Sequence, residues 1–182
     1  MRKLTLFLIC FFSYLLTNAQ NFGELEWQKT KIPAFTMEIP QTSSVTEDAI
    51  VKKLAQLGYN GRSTKGVLVY KGIRITEISS EPVDVYLSVD RKGRKEKDAA
   101  IVYFAVSGIP GSYIKAGDDA ILIQKINMYM NNFPVWAEAE ALERDIKAQE
   151  DRLKSEEKKA TDLQDESESL QKRLKKLNED IE

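Results

Sequence analysis

Three constellations in this sequence combine residue types that chemistry requires. Asp118 and Asp119 stand side by side, and such a pair of carboxylates could share a proton or hold one edge of a cation. Gly58 to Gly66 reads Gly-Tyr-Asn-Gly-Arg-Ser-Thr-Lys-Gly, a composition that suits a phosphate cradle. Arg91, Lys92, Arg94, Lys95 and Lys97 place five cations in seven positions. Such a cluster could meet lipid phosphates, anionic glycans or an acidic partner.

Each has a plainer reading. Carboxylates ahead of an apolar periodic run accept the first free N–H groups of a helix, so capping is the role expected of Asp118 or Asp119. Calcium loops alternate oxygen ligands over about twelve residues, and no stretch here does so. The glycine-bounded loop follows a helical pattern, whereas a phosphate loop precedes one, and it lacks Walker spacing. It is read as a helix-to-strand connection. The five cations are read first as a solvated turn. The cluster of Phe133, Val135 and Trp136 is read as a hinge packed on the body.

The chain has no histidine and one cysteine, Cys10. The commonest general base and metal ligand are therefore missing, and neither a thiolate zinc site nor an internal disulfide can form. A net charge of −1 argues against electrostatically driven nucleic-acid binding. Tyr59, Tyr70, Tyr86, Tyr103 and Tyr113 do not interleave with the cations. No catalytic residue, cofactor or metal is expected, and the chain is not read as an enzyme.

The elements that would carry these residues are legible as a small α+β body. Residues 20–33 read as a lead-in lying against it. Ala34 to Ile39 alternates, with Phe35, Met37 and Ile39 on one face, and Pro40 closes the strand. Ser44-Val45-Thr46-Glu47 matches a capping box, Ile50, Leu54 and Leu57 form the inward face of the helix, and Gly58 stops it. Val67 to Tyr70 and Ile73 to Ser79 flank Lys71-Gly72, which is either a tight turn or a bulge in one strand. Val83 to Val89 alternates as a half-buried strand, Arg91 to Asp98 is a polar turn, and Ala99 to Ser107 returns. Gly108-Ile109-Pro110-Gly111 ends the sheet. A second helix follows, with Ile123, Ile126, Met130 and Phe133 facing inward. The order β-α-β-β-β-β-α predicts an antiparallel sheet of four to five strands with two helices on one face.

Pro134 disfavours helical geometry at Phe133, so the body is expected to span 34–133 and a long helix 134–182. Residues 138–182 hold 15 acidic and 10 basic side chains, with no Gly or Pro. Their apolar residues keep a heptad. The seam runs through Leu142, Ile146, Leu153, Ala160, Leu163, Leu170, Leu174, Leu177 and Ile181, with Gln149, Glu156 and Ser167 as its polar members. A 3.5-residue period held this long predicts a left-handed coiled coil. Glu140–Arg144, Glu143–Lys147, Glu150–Lys154 and Glu168–Lys172 stand at i,i+4 with the acid first, which supports the helix. In a parallel homodimer Arg152 would face Glu157, which attracts, and Asp145 would face Glu150, which repels. A single charged helix, solvated or folded back on the body, a homo-oligomer and a coil with another protein all remain open.

The N-terminus reads as a signal peptide over residues 1–19. Arg2 and Lys3 precede an apolar run from Leu4 to Leu16, and Thr17-Asn18-Ala19 supplies small residues before a cut at Gln20. The run is short of the ~20 residues that span a bilayer. Cys10 lies within it, flanked by the bulky Leu8 and Ile9, which disfavours a lipoprotein signal. The run closing in Asn18-Ala19-Gln20 resembles signals of secreted Bacteroidota proteins. The whole layout is similar to small secreted or periplasmic α+β proteins of Bacteroidota with a C-terminal coiled coil, and more loosely to TATA-binding-protein-like folds. That resemblance implies export and architecture, and no activity.

The expectation is a non-enzymatic secreted or periplasmic binding or scaffold protein, with an α+β head and a coiled-coil tail. Two alternatives stand beside it. One is an accessory subunit of an outer-membrane complex, with the cations on anionic lipid or glycan. The other is a small-ligand domain with a cavity between sheet and helices.

Overall fold

The structure, a computed structural model, describes residues 21–180. The expected signal segment, Cys10, the cut site and Ile181 lie outside them. In chain order the elements are β1 (Asn21–Trp27), β2 (Thr30–Ile39), α1 (Ser43–Gln56), β3 (Arg62–Thr64), β4 (Val67–Ile73), β5 (Val83–Arg91) and β6 (Ala100–Ile109). There follow β7 (Ser112–Tyr113), α2 (Ala120–Met130) and α3 (Phe133–Glu179). The strands form one antiparallel sheet in the order β1-β2-β6-β5-β4-β3, with β7 paired to β6. The α+β class with a long C-terminal helix holds.

The sheet has seven strands where four to five were expected. β2, β4, β5 and β6 are the expected ones; β1, β3 and β7 are additional. Of the expected lead-in, residues 21–33 are built into the sheet: β1 and the start of β2 form a hairpin there, with Trp27 opposite Thr30. Its two-residue turn, Gln28-Lys29, has φ of 51° and 69°. Both residues are left-handed, the geometry that matches the twist of paired strands. The loop read as a helix-to-strand connection contains β3, joined to β4 by Lys65-Gly66, again with both φ positive (51° and 81°). Lys71-Gly72 is the bulge, where the register between β4 and β5 shifts. Gly72 donates its N–H to Asp84 Oδ1 at 2.8 Å. The expected strand through Ser79 ends at Ile73; a turn follows in which Ile78 N–H donates to the Ile75 carbonyl at 2.8 Å. Gly108 to Gly111 does not end the sheet, because Pro110-Gly111 turns the chain back into β7.

Helix α1 starts two residues earlier than the capping box implied. Thr42 is the N-cap, its Oγ1 accepting from Val45 N–H at 3.3 Å, so Ser44 lies inside the first turn. Gly58 ends the helix as expected, in a left-handed conformation (φ 85°) that lets Tyr59 N–H reach the Leu54 carbonyl.

One face of the sheet carries the helices. Phe35, Ile39, Leu87, Val102 and Phe104 meet Ile50 and Leu54 of α1, and Ile126 and Met130 of α2, in one buried cluster. Phe133 and Ala137, in the first turns of α3, are fully buried in it too. Phe133 sits edge-on to Phe104 (5.5 Å between ring centroids) and to Tyr129 (5.7 Å), with Trp136 beside it at 5.4 Å. The two helices break at Asn131-Asn132, and Pro134 falls in the first turn of α3, where its missing N–H costs nothing. The compact unit ends at Glu140, and residues 141–180 form a second unit, wholly helical as far as Glu179.

The other face curls upon itself. Trp27 and Tyr86 lie 5.4 Å apart, although β2 and β6 separate their strands. Three flat strand spacings would hold them ~14 Å apart. Small residues make the bend possible. Gly23, Ala34 and Ala105 stand in one row across β1, β2 and β6, and a Cβ on Gly23 would come within 2.6 Å of Thr36 Cγ2. The curl buries Leu25, Ile32, Val67, Val69 and Tyr86 in a second cluster.

Candidate functional site

Each residue group with chemical potential has a defined place. Asp119 caps α2, its Oδ1 accepting from Ile121 N–H at 2.9 Å. Asp118 instead accepts from Lys115 N–H at 3.0 Å, so the two carboxylates close a turn and do not converge on one point. Among the described residues no group of three or more His, Cys, Asp or Glu could hold a metal ion.

The β5–β6 turn carries the five cations, and Lys92 is already engaged. Its Nζ lies 2.7 Å from Glu38 Oε1 and 3.0 Å from Glu96 Oε2, and these hydrogen bonds raise its pKa. Arg91, Arg94, Lys95 and Lys97 are exposed, but Asp90, Glu96 and Asp98 share the turn with them. The sequence run showed the cations; it did not show that Glu38 of β2 reaches across to one of them.

On the curled face a shallow groove of about 330 Å³ opens beside β1 and the β3–β4 turn, lined in part by Glu24, Leu25, Lys65, Gly66, Ser88 and Asp90. Glu24 is bonded to Lys31 at 2.8 Å, and Ser88 Oγ donates to the Gly66 carbonyl at 3.4 Å. The aromatic cluster beneath is closed: Tyr86 packs edge-on against Tyr113 at 5.4 Å, and burial pushes its hydroxyl up to about 12. Sequence reasoning missed this groove because the curl that shapes it depends on β1.

α3 carries an exposed apolar row along residues 142–177. Within residues 141–178 the seam residues described are all exposed: Leu142, Ile146, Leu153, Ala160, Leu163, Leu170, Leu174 and Leu177. The large ones leave between 51% (Leu170) and 66% (Leu163) of their area open. Seven bulky apolar side chains thus recur at heptad spacing on one helix, a pattern that ordinary surfaces do not carry. The polar seam member Glu156 is bound at 2.7 Å by Lys159, one turn away. Thr161 Oγ1 donates to the Glu157 carbonyl at 3.0 Å. A dip of about 360 Å³ between Asp165 and Lys176 is the relief of a single helix surface and encloses nothing.

This arrangement offers a long apolar stripe bordered by charge, a surface that packing against another helix would bury. Among the described residues no helix is long and apolar enough to cross a membrane. No protein-family model matches the chain, no curated protein is detectably similar to it, and neither is any solved structure.

Proposed function

We propose that this is a non-enzymatic, exported binding or scaffold protein that works by association. Its α+β head serves as a docking module, and its tail joins it to other chains through a coiled coil. The observation that carries this reading is the row of exposed leucines and isoleucine from Leu142 to Leu177 on α3. A lone helix gains nothing from such a stripe. Burying it against a second helix removes the apolar area from water at roughly 25 cal/mol per Å². The partner is a second copy or a subunit of a cell-envelope assembly.

Light scattering at tens of micromolar tests the reading, on the full chain and on a chain ending at Glu140. An oligomer that collapses to a monomer on truncation supports it. Monomers in both cases remove self-association. Export is checked separately, by asking whether the chain recovered from the envelope fraction begins at Gln20.

A further inference from the structure

We infer that the occupant of the α3 seam is a second copy of the same helix running antiparallel, in one register that sets Leu142 level with the partner's Leu174. This rests on the association reading above and adds orientation and register to it. The argument comes from the three polar seam residues and the flanking charges, which are better matched in this pair than in a parallel one.

In a parallel pair every seam residue meets its own copy. Glu156 would then face the partner's Glu156 inside the seam and Asp145 the partner's Glu150, against one attraction, Arg152 with the partner's Glu157. In an antiparallel pair, a positions sit level with d positions, g residues flank g residues, and e residues flank e residues. With Leu142 level with the partner's Leu174, Ile146 meets the partner's Leu170 and Leu153 meets the partner's Leu163. Gln149 falls opposite the partner's Ser167, so two polar side chains share a layer and can hydrogen-bond. Glu156 falls opposite the partner's Ala160, whose small side chain leaves room for the carboxylate to reach solvent.

The flanks agree. The g side chains that converge differ in level by two residues, or ~3 Å of rise. Asp145 then meets the partner's Arg173, and Arg152 meets the partner's Glu166; symmetry doubles both attractions. Lys159 approaches the partner's Lys159 across the two-fold axis. Each of these lysines is the one bound at 2.7 Å to Glu156 of its own chain, so two ion pairs meet there with alternating sign. Along the e row, Glu143, Glu150 and Glu157 occupy one half and Gln164, Gln171 and Asn178 the other. Reversal places Glu143 opposite the partner's Gln171 and Glu150 opposite the partner's Gln164; Glu157 meets the partner's Glu157 beside the two-fold axis, next to the Lys159 pair.

Neighbouring antiparallel registers lack this agreement. A slip of one heptad in one direction sets Lys159 against the partner's Glu166 and the e-row acids against amides, but it sets Asp145 against the partner's Asp180, Arg152 against the partner's Arg173 and Gln149 against the partner's Leu174. A slip in the other direction sets Asp145 against the partner's Glu166 and Arg152 against the partner's Lys159. The favoured overlap, from Leu142 to Leu174, is on the order of 50 Å long.

Disulfide trapping tests this, in the full chain carrying Cys10→Ser so that no native thiol interferes. Leu142→Cys and Leu174→Cys are made singly. Under mild oxidation a 1:1 mixture should give the mixed disulfide dimer at least tenfold faster than either variant alone gives a dimer. A charge swap provides a second readout: Arg173→Glu should weaken dimerisation about tenfold, and adding Asp145→Arg should restore it. Fast self-crosslinking of Leu174→Cys, with an indifferent Arg173→Glu, would mean a parallel coil; association would stand and this inference would fall. A parent chain that is monomeric by light scattering would remove both.

Discussion

Leu170→Ala is the sharpest test of the exposed seam. Full burial of a leucine side chain is worth ~1.5–3 kcal/mol. Leu170 is 51% exposed on its own helix, so about half of that, ~1 kcal/mol, remains to be gained when another helix covers it. Truncation to alanine forfeits this gain and leaves a void, and Leu→Ala in packed interiors costs about 2–5 kcal/mol in all. A homodimer carries the change twice. The transfer part alone removes ~2 kcal/mol from association, and an imperfectly closed void raises that to about 4 kcal/mol. At 1.4 kcal/mol per factor of ten, the dimer Kd should rise by between about thirtyfold and several hundredfold. Alanine is the better helix former, so the single helix is not weakened by the change.

The control is Lys158→Ala, an equally exposed position on the side of the helix away from the seam. Sedimentation equilibrium of the full-length variants gives the Kd, and far-ultraviolet circular dichroism at a concentration where all are monomeric checks the helix. If Leu170→Ala and Lys158→Ala shift the Kd to within threefold of each other, the seam is not the contact surface.

The head makes its own predictions. Gly61→Ala should destabilise it by about 1–3 kcal/mol, because the new Cβ would lie 2.6 Å from Cζ of the buried Tyr70 ring; urea denaturation reads the loss. Lys29→Gly should stabilise it by roughly 1 kcal/mol, since Lys29 is left-handed (φ 69°) and that conformation costs a side-chain-bearing residue about as much. Thr42→Ala should cost ~1 kcal/mol while Ser44→Ala costs little, because only Thr42 caps α1; comparing the two melting points separates the caps. Burial raises the pKa of Tyr86, Tyr129 and Tyr70 above the usual 10. Their contribution is therefore intact below pH 10, where the unfolded tyrosines are still neutral, and is lost as pH climbs toward the folded values. Denaturant midpoints measured from pH 8 to pH 12 should stay level and then fall above pH 10.

The parts of the fold that the sequence displays are those in which local pattern and tertiary environment agree. β5 alternates because one face packs under the helices and the other lies on the curl. α2 begins after a capping aspartate, and α3 keeps its period from Leu142 to Leu177 because no Gly or Pro breaks the helix there. The parts that stay hidden have atypical local chemistry. Gln28-Lys29 is a tight turn without glycine, asparagine or aspartate, so β1 reads as irregular chain. β3 is three exposed residues whose strand conformation comes from pairing with β4. Thr42 and Ser44 both have hydroxyls suited to the cap, and Thr42 holds it, accepting from Val45 N–H. The candidate site divides in the same way. The seam is read directly from spacing, whereas the salt link from Glu38 to Lys92 joins residues 54 positions apart and leaves no trace in either local run.

The curl of the sheet bears on function through what it removes from the surface. A sheet covered by helices on one side would leave Leu25, Ile32, Val67, Val69 and Tyr86 facing water on the other, an apolar patch inviting a partner. Here the row of Gly23, Ala34 and Ala105 lets β1 fold over, and those five side chains become buried without one. The large apolar residues that the head still exposes are Phe22 in β1, Leu57 at the end of α1, Ile109 at the end of β6, Ile121 and Met128 on α2, and Val135 in the first turn of α3. On α3 the exposed leucines keep a single stripe, and the polar residues interrupting it are the ones an antiparallel copy would complement. A closed second sheet face beside an exposed apolar stripe of on the order of 50 Å favours the tail over the head as the surface for the association proposed above. That is why the function is sought in association along α3 and not in the groove of the head.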